Sequence, residues 1–145
     1  MGLILRLLVA AGLAADAVVH WRFAPQMAFV QGGSIHGDVL FRVQAGVAAV
    51  AAVIILTYAA RWSYAVAFLV AGSAVGALVL YYYVDVGALG PLPDMHEPVW
   101  YTEKTISLAG EGIAAVAAVA GFCTVKRRRP DDDEFAPERE HARGF

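Results

Sequence analysis

Four long apolar segments, separated by short polar stretches, dominate the pattern of hydrophobic and polar positions along the chain. They cover residues 3–21, 39–60, 62–84 and 101–125, and the third contains no charged residue. Each segment has about the 20 residues that a helix needs to cross the hydrocarbon of a bilayer. None alternates between apolar and polar positions as a barrel strand would. The pattern therefore predicts an all-α fold, an integral membrane, antiparallel four-helix bundle over residues 1–125.

The composition supports lipid contact. Of the 145 residues, 59% are hydrophobic and the mean hydropathy is +0.59, whereas soluble domains are about 45–50% apolar. A domain of about 150 residues leaves roughly a third of its surface exposed, so the excess apolar surface needs hydrocarbon around it. The basic residues outside the tail are scattered singly, which argues against a nucleic-acid partner. Cys123 is the only cysteine, so no internal disulfide is expected.

Lys and Arg residues set the expected orientation, because they accumulate on the cytoplasmic side of membrane helices. Arg6, Arg61 and the basic cluster 126–129 fall on one side of a four-helix bundle. We therefore expect both termini in the cytoplasm. Residues 126–145 form a basic and then acidic tail that is predicted to be disordered. A signal peptide that ends near Ala17 is the alternative for the first segment.

Three histidines lie near the opposite, extracytoplasmic side: His20, His36 and His96, the last followed by Glu97. Imidazole and carboxylate groups are ligands for zinc, copper or iron, so one hypothesis is a metal or haem site built from these residues. The alternative is that they are polar side chains at a wet interface. Three prolines between residues 85 and 98 restrict the backbone of this loop, and both outer loops are predicted to be ordered.

Charged residues inside the apolar segments are costly and usually face protein or water. At ~1.5 Å of rise per residue, Asp16 and Arg42 lie at similar depths, and we expect them to form an ion pair. Glu111 lies deeper, near the midplane; either Gln44 and Arg42 are its partners, or its carboxyl group is protonated. It is either a functional carboxylate, for proton relay or substrate contact, or a structural hydrogen-bonding group.

Residue spacing adds further expectations for packing and binding. Glu103, Ser107 and Glu111 follow one another at i,i+4 steps and share a helix face. Gly72 and Gly76 have the GxxxG spacing that lets membrane helices approach closely. Aromatic residues at the predicted helix ends form an interfacial belt, and Tyr81, Tyr82 and Tyr83 are candidates for the lining of a quinone or ring-binding pocket.

Four features of the chain occur together: the opening sequence Ile4-Leu5-Arg6-Leu7-Leu8, the Gly- and Ala-rich second segment, Arg61 in a short turn, and the acidic start of the last segment. In these features the chain resembles the DoxX-like group of small four-helix bacterial membrane proteins. The resemblance implies a location in the bacterial cytoplasmic membrane and a link to thiosulfate–quinone oxidoreduction or to membrane redox complexes.

Three classes of function follow. The leading interpretation is an accessory or scaffold subunit of a membrane complex, with a redox role implied by the resemblance. We favour it over an enzyme because the sequence shows no recognisable catalytic constellation. The alternatives are a small proton-coupled transporter that acts as an oligomer, with Glu111 as its titrating group, and a metal- or haem-binding protein that uses the outer histidines.

Overall fold

A computed structural model describes residues 2–125 and contains four α-helices in this range. All four are long and apolar enough to span a membrane, which confirms the predicted all-α, four-helix architecture. The predicted tail over residues 126–145 lies outside the described residues. The helices are α1 (Gly2–Met27), α2 (Gly37–Thr57), α3 (Arg61–Tyr83) and α4 (Thr102–Thr124).

The helix ends differ from the apolar segments by one to six residues. The helix α1 continues six residues beyond the predicted end at position 21, through Pro25 to Met27. The helix α2 ends three residues early, because Tyr58 adopts an extended backbone with φ −114° and ψ 108°. Hydropathy marks the residues that prefer lipid, whereas helix ends depend on backbone conformation. Polar residues such as Arg22 can therefore extend a helix beyond its apolar run.

The helices pack in their chain order around the bundle. The most extensive interfaces are those of α1 with α2 and with α4, and α3 packs mainly against α4. The contact between α2 and α3 is much smaller. Every consecutive pair of helices is therefore adjacent, as in an up-down-up-down bundle, but one seam of the bundle is loosely closed.

The two long connections meet at one end of the bundle. The amide of Ile35 donates a hydrogen bond of 2.9 Å to the carbonyl oxygen of Pro91, and the amide of Asp94 donates one of 3.1 Å to that of Gln31. Gly33 permits this approach, since it has a φ of +70° and a Cβ there would lie 2.5 Å from the Pro91 oxygen. We call these connections, residues 28–36 and 84–101, the cap loops. The end of the bundle at which they lie is the cap end.

The opposite end contains the start of α1 and the short turn between α2 and α3. Arg6 donates hydrogen bonds from Nε to the carbonyl oxygen of Ile55, at 3.0 Å, and from Nη2 to that of Leu56. These carbonyls are among the last of α2, which have no partner within the helix. The hydroxyl of Tyr64 donates a bond of 3.5 Å to the Gly2 carbonyl. The helices are therefore antiparallel, as predicted.

Small residues bring the helices close together. Gly12 of α1 faces Gly110 of α4, and a Cβ on Gly12 would collide with the Gly110 carbonyl oxygen. Gly121 similarly leaves room for the buried ring of Tyr64. Eleven of the fifteen buried hydrophobic residues among those described are alanines. Close packing of small residues is how membrane helices associate when lipid and protein are equally apolar.

The outward faces of the helices are apolar along their length. Large hydrophobic side chains remain exposed on every helix, and they would contact lipid in a membrane-embedded chain. Exposed hydrophobic side chains with at least 45% of their surface accessible include Leu3, Leu7, Val18, Val50, Val53, Leu69, Ile113 and Val116.

Candidate functional site

A buried Asp–His pair lies on α1, where the i,i+4 spacing places both side chains on one face. Oδ1 of Asp16 lies 2.5 Å from Nδ1 of His20, and the same nitrogen lies 3.1 Å from the carbonyl oxygen of Asp16. The Asp16 side chain is 0% exposed and that of His20 16%. Because Nδ1 faces two oxygen acceptors, it carries a proton, and Nε2 is the nitrogen left for another partner.

The second oxygen of Asp16 is bound by a neighbouring helix. Nε2 of Gln44, on α2, donates a hydrogen bond of 2.9 Å to Oδ2 of Asp16. An amide NH₂ group has two donors, so Gln44 retains a second N–H for another acceptor. This contact connects α1 and α2 in the half of the bundle that is nearer the cap end.

A buried carboxylate on α4 completes the polar cluster. The hydroxyl of Ser107 donates a hydrogen bond of 2.5 Å to Oε1 of Glu111, as their i,i+4 spacing allows. Glu111 is 1% exposed, and its Oε2 is buried with no hydrogen-bond partner. Buried polar atoms normally have a partner, so this oxygen is available to a ligand.

The three ionisable groups of the cluster converge. Asp16, His20 and Glu111 each offer one ligand atom, and these atoms all lie within 4.8 Å of one another. We call these three residues, with Gln44 and Ser107 around them, the polar cluster. Among the described residues, no Lys or Arg forms a salt bridge with either carboxylate.

A cavity of about 460 Å³ lies between the polar cluster and the cap loops. All four helices line it, and its α3 wall runs along the loosely closed α2–α3 seam. Its floor contains four residues of the polar cluster, and its walls are mainly apolar. The wall residues include Val19, Leu40, Phe41, Val43, Ala74, Ala77, Leu78, Leu92 and Met95.

Aromatic rings surround the cavity at the cap end. Tyr82 lines the cavity and packs edge-to-face against Trp100, with ring centroids 5.0 Å apart. Phe23 and Tyr101 also line it and stack with centroids 5.9 Å apart. Burial, together with the charges of Glu97 and Glu103, raises the pKa of Tyr101 above its usual value. Its hydroxyl therefore stays protonated, and remains a hydrogen-bond donor, up to a higher pH than that of an ordinary tyrosine.

The predicted ion pair between Asp16 and Arg42 is wrong. Arg42 is 52% exposed and forms its salt bridge with Asp38, one turn earlier on α2, at 3.2 Å. At about 100° per residue, Arg42 lies roughly 200° around the helix from Gln44. Since Gln44 faces Asp16, Arg42 points to the other side of α2. Glu111 is bound by Ser107 rather than by the expected Gln44 or Arg42.

The outer histidines are not brought together. His36 is exposed at the start of α2, and Nδ1 of His96 lies 2.9 Å from the carbonyl oxygen of Tyr81. Within residues 2–125, the one group of converging ligand atoms contains His20 alone among the histidines. Glu97 and Glu103 line the part of the cavity that is nearer the cap loops. Metal binding by the predicted set His20, His36, His96 and Glu97 stays a prediction.

Several cavity residues were not singled out from the sequence. Phe41 packs against His20 with ring centroids 4.9 Å apart, and its spacing of three from Gln44 places both on the same face of α2. That spacing is a usable signal once Gln44 is known to face inward. Leu92 and Met95 come from a cap loop, and no periodicity marks a loop residue as part of a cavity. Tyr81 and Tyr82 line this cavity, whereas Tyr83, the third residue of the predicted set, is 75% exposed and is not part of its lining. Ring binding by these tyrosines stays a prediction.

The arrangement has three chemical capacities. The paired carboxylates and imidazole can hold a cation, the free Gln44 N–H can bind an acceptor oxygen, and the apolar walls can enclose a flat or flexible lipophile. These capacities coexist because the donors are at the floor and the apolar residues are above them. Comparisons of the chain with protein family models, with curated proteins and with solved structures found no match.

Proposed function

We propose that this chain is a small membrane protein that binds a lipophilic ring compound of the quinone class and serves as an accessory subunit of a membrane redox complex. The observation that carries the proposal is the cavity, with its apolar walls, aromatic rim and polar floor. Its volume of about 460 Å³ lies within the range of roughly 300–1,000 Å³ that is usual for small-molecule sites.

The lining matches the chemistry of a ring that bears carbonyl or hydroxyl oxygens. Phe41, Tyr81 and Tyr82 offer ring faces and edges for stacking. The unused N–H of Gln44, at the floor, can donate to a ring oxygen. An apolar side chain of the bound ligand can extend out of the cavity between α2 and α3, the neighbouring helices that contact each other least.

The resemblance to the DoxX-like group supports the redox assignment and a bacterial cytoplasmic membrane, with both termini in the cytoplasm. In this orientation the cavity opens toward the extracytoplasmic leaflet. The helix α3 supports a role within a complex, because a Cβ on Gly76 would meet open space and the helix can receive a partner or a second copy there. The alternative of a proton-coupled transporter stays a prediction of the sequence.

Ligand binding is tested with a short-chain naphthoquinone added to the protein in mild detergent, with bound probe measured by equilibrium dialysis. We expect saturable binding of one molecule per chain. Ala74→Phe fills the α3 wall of the cavity and should weaken binding at least ~10-fold, equivalent to about 1.4 kcal/mol. Ala49→Phe places the same ring on an exposed position of α2 outside the cavity lining, and should leave affinity unchanged.

Non-saturable uptake that matches empty micelles would contradict the proposal. Equal affinities of the wild-type protein and the Ala74→Phe variant would also contradict it, since the probe would then bind elsewhere. Circular dichroism and gel filtration of both variants show whether each bundle has kept its fold.

A further inference from the structure

We infer that Asp16, His20 and Glu111 form a binding site for a divalent transition-metal ion at the floor of the cavity. The inference does not depend on the quinone proposal, because the three side chains converge whether or not the cavity holds a ligand. It differs from the set predicted from the sequence, since only His20 is common to both.

The geometry of the donors carries the first step. Their ligand atoms lie within 4.8 Å of one another, and zinc holds nitrogen and oxygen ligands at roughly 2.0–2.2 Å. Two ligands of one zinc ion are therefore less than about 4.4 Å apart. Small torsional changes bring all three donors to one ion, with the contact between Asp16 and His20 opening to admit it. If Nδ1 of His20 is the ligand, it releases its proton to solvent as the ion binds.

Charge balance carries the second step. Asp16 and Glu111 are both buried, at 0% and 1% exposure, and no Lys or Arg among the described residues pairs with them. Oε2 of Glu111 is buried without any hydrogen-bond partner. Burying two close carboxylates is costly unless their charge is compensated. A divalent cation compensates both carboxylates and gives the unpartnered oxygen its ligand.

The surroundings of the three donors resemble those of a metal site with an open position. Gln44 binds Oδ2 of Asp16 and Ser107 binds Oε1 of Glu111, as outer residues that orient metal ligands do. The other oxygen of each carboxylate, Oδ1 of Asp16 and Oε2 of Glu111, is left for the ion. His20 and Glu111 also line the cavity, so a fourth ligand reaches the ion from there. Three protein ligands with one open position are typical of metals that bind water or a ligand.

The framework holds the donors in place. Gly12 lies one helical turn before Asp16, and Gly110 directly precedes Glu111. The close contact between these two glycines sets the distance between α1 and α4 beside the donors. Imidazole with two carboxylates suits zinc, iron, manganese or cobalt, so the inference specifies the class of ion and not one element.

The test uses Co²⁺ as a spectroscopic probe on full-length protein that has been treated with EDTA and dialysed in mild detergent. We expect one equivalent of Co²⁺ per chain, visible as saturable d–d absorption bands that excess Zn²⁺ removes. Glu111→Gln keeps the size of the side chain and an oxygen for Ser107, but should abolish the bands. Gln44→Ala should weaken binding by about 10- to 100-fold, as loss of an orienting residue does.

The matched control is His36→Ala, which removes an exposed histidine outside the cluster and should leave the bands unchanged. Absence of saturable Co²⁺ binding by folded wild-type protein would overturn the inference. Bands that survive Glu111→Gln and disappear in His36→Ala would also overturn it, by locating the ion at the surface. Naphthoquinone binding measured on the same EDTA-treated protein separates failure of this site from failure of the ligand proposal.

Discussion

Asp16 is a buried carboxylate whose two oxygens contact side chains from two helices. His20 contacts Oδ1 from one turn later on α1, and Gln44 donates to Oδ2 from α2. In a low-dielectric environment each such contact strengthens, and each missing one becomes more costly. The polar cluster therefore contributes to stability as well as to binding, and the two contributions can be measured separately.

We predict that Gln44→Leu destabilises the bundle by about 1–2 kcal/mol. The variant leaves Oδ2 of Asp16 buried without its donor, a loss that costs about 1–3 kcal/mol in soluble proteins. Hydrogen bonds within membranes are worth somewhat less, about 0.6 kcal/mol on average. The free energy of unfolding is measured by titration with SDS in the presence of EDTA, so that metal binding does not contribute.

Gln31→Leu is the matched control for this measurement. Gln31 is exposed in a cap loop, and its side chain donates only to the carbonyl oxygen of Phe29, at 3.3 Å. Its backbone carbonyl, which accepts from Asp94, remains. The control should change stability by no more than ~0.5 kcal/mol, as surface substitutions usually do. Equal losses in both variants would show that the Gln44–Asp16 bond has no specific stabilising role.

Side-chain pairs within one helix were predictable from the sequence, and pairs between helices were not. The spacing of four residues brings Asp16 to His20, and Ser107 to Glu111, because that spacing fixes the angle between two side chains. The partner across a helix boundary depends on how each helix rotates about its axis. The predicted pair of Asp16 and Arg42 used only the depth of each residue along its helix. In the structure, the rotation of α2 about its axis directs Gln44 toward Asp16.

The contact between α1 and α4 depends on a glycine at each surface. A Cβ on Gly12 would collide with the carbonyl oxygen of Gly110 and would lie 2.9 Å from Cβ of Ala114. Both nearest atoms belong to backbone or to a side chain with no rotamer freedom, so neither can move aside. The helices would have to separate, and Asp16 and Glu111 would separate with them.

We predict that Gly12→Leu lowers the free energy of unfolding by at least ~2 kcal/mol, in the upper part of the range for overpacked cores. Gly76→Leu places the same side chain on α3, where a Cβ would meet open space, and should leave the stability of the isolated chain unchanged. If α3 receives a partner, Gly76→Leu should instead reduce the size of the complex. SDS titration measures stability, and native electrophoresis of solubilised membranes measures complex size.

Gly12→Ala keeps the prediction testable if the leucine variant does not fold, since its Cβ alone meets the Gly110 oxygen. Wild-type stability in Gly12→Ala would contradict the proposed role of this contact. Wild-type complex size in Gly76→Leu would remove the support that α3 gives to an accessory role.

At the level of elements, the sequence was sufficient for the number, type and order of the helices. Mean hydropathy over ~20 residues is a strong signal, because hydrocarbon admits few other structures. The helix faces that pack against one another were harder to predict from the sequence. Gly72 and Gly76 had the familiar spacing, yet the backbone contact between α1 and α4 uses Gly12 and Gly110, which lie on different helices and form no motif in the chain.

The whole molecule has two unlike ends. The cap end contains both long connections and the cavity, and the other end contains a three-residue turn and the first residues of α1. Among the described residues, Arg22, Arg42 and Lys104 lie in the cap-end half, whereas Arg6 and Arg61 lie toward the other end. Arg42 is paired with Asp38. The cluster 126–129 follows α4 in the sequence, and the expected excess of basic residues at the end without the cap loops depends on this cluster.

Membrane orientation is the property of the whole molecule that this charge distribution determines. We predict that the cap end is extracytoplasmic, and two single cysteines in a Cys123→Ala background report it. Ala88→Cys, exposed in a cap loop, should react with a membrane-impermeant maleimide in intact cells. Ala59→Cys, exposed in the turn between α2 and α3, should react only after the cells are lysed.

Replacement of residues 126–129 by glutamine is the decisive variant, because it removes four of the eight Lys and Arg residues expected on the cytoplasmic side and leaves the three at the cap end. The orientation should then become mixed, with both cysteines partly labelled in intact cells. If the original cluster is present and only the Ala59→Cys variant is labelled in intact cells, the orientation is the opposite of the predicted one. The cavity then opens toward the cytoplasm. An orientation that stays fixed without the cluster would instead assign control to the other basic residues expected on that side, Arg6, Arg61, Arg139 and Arg143.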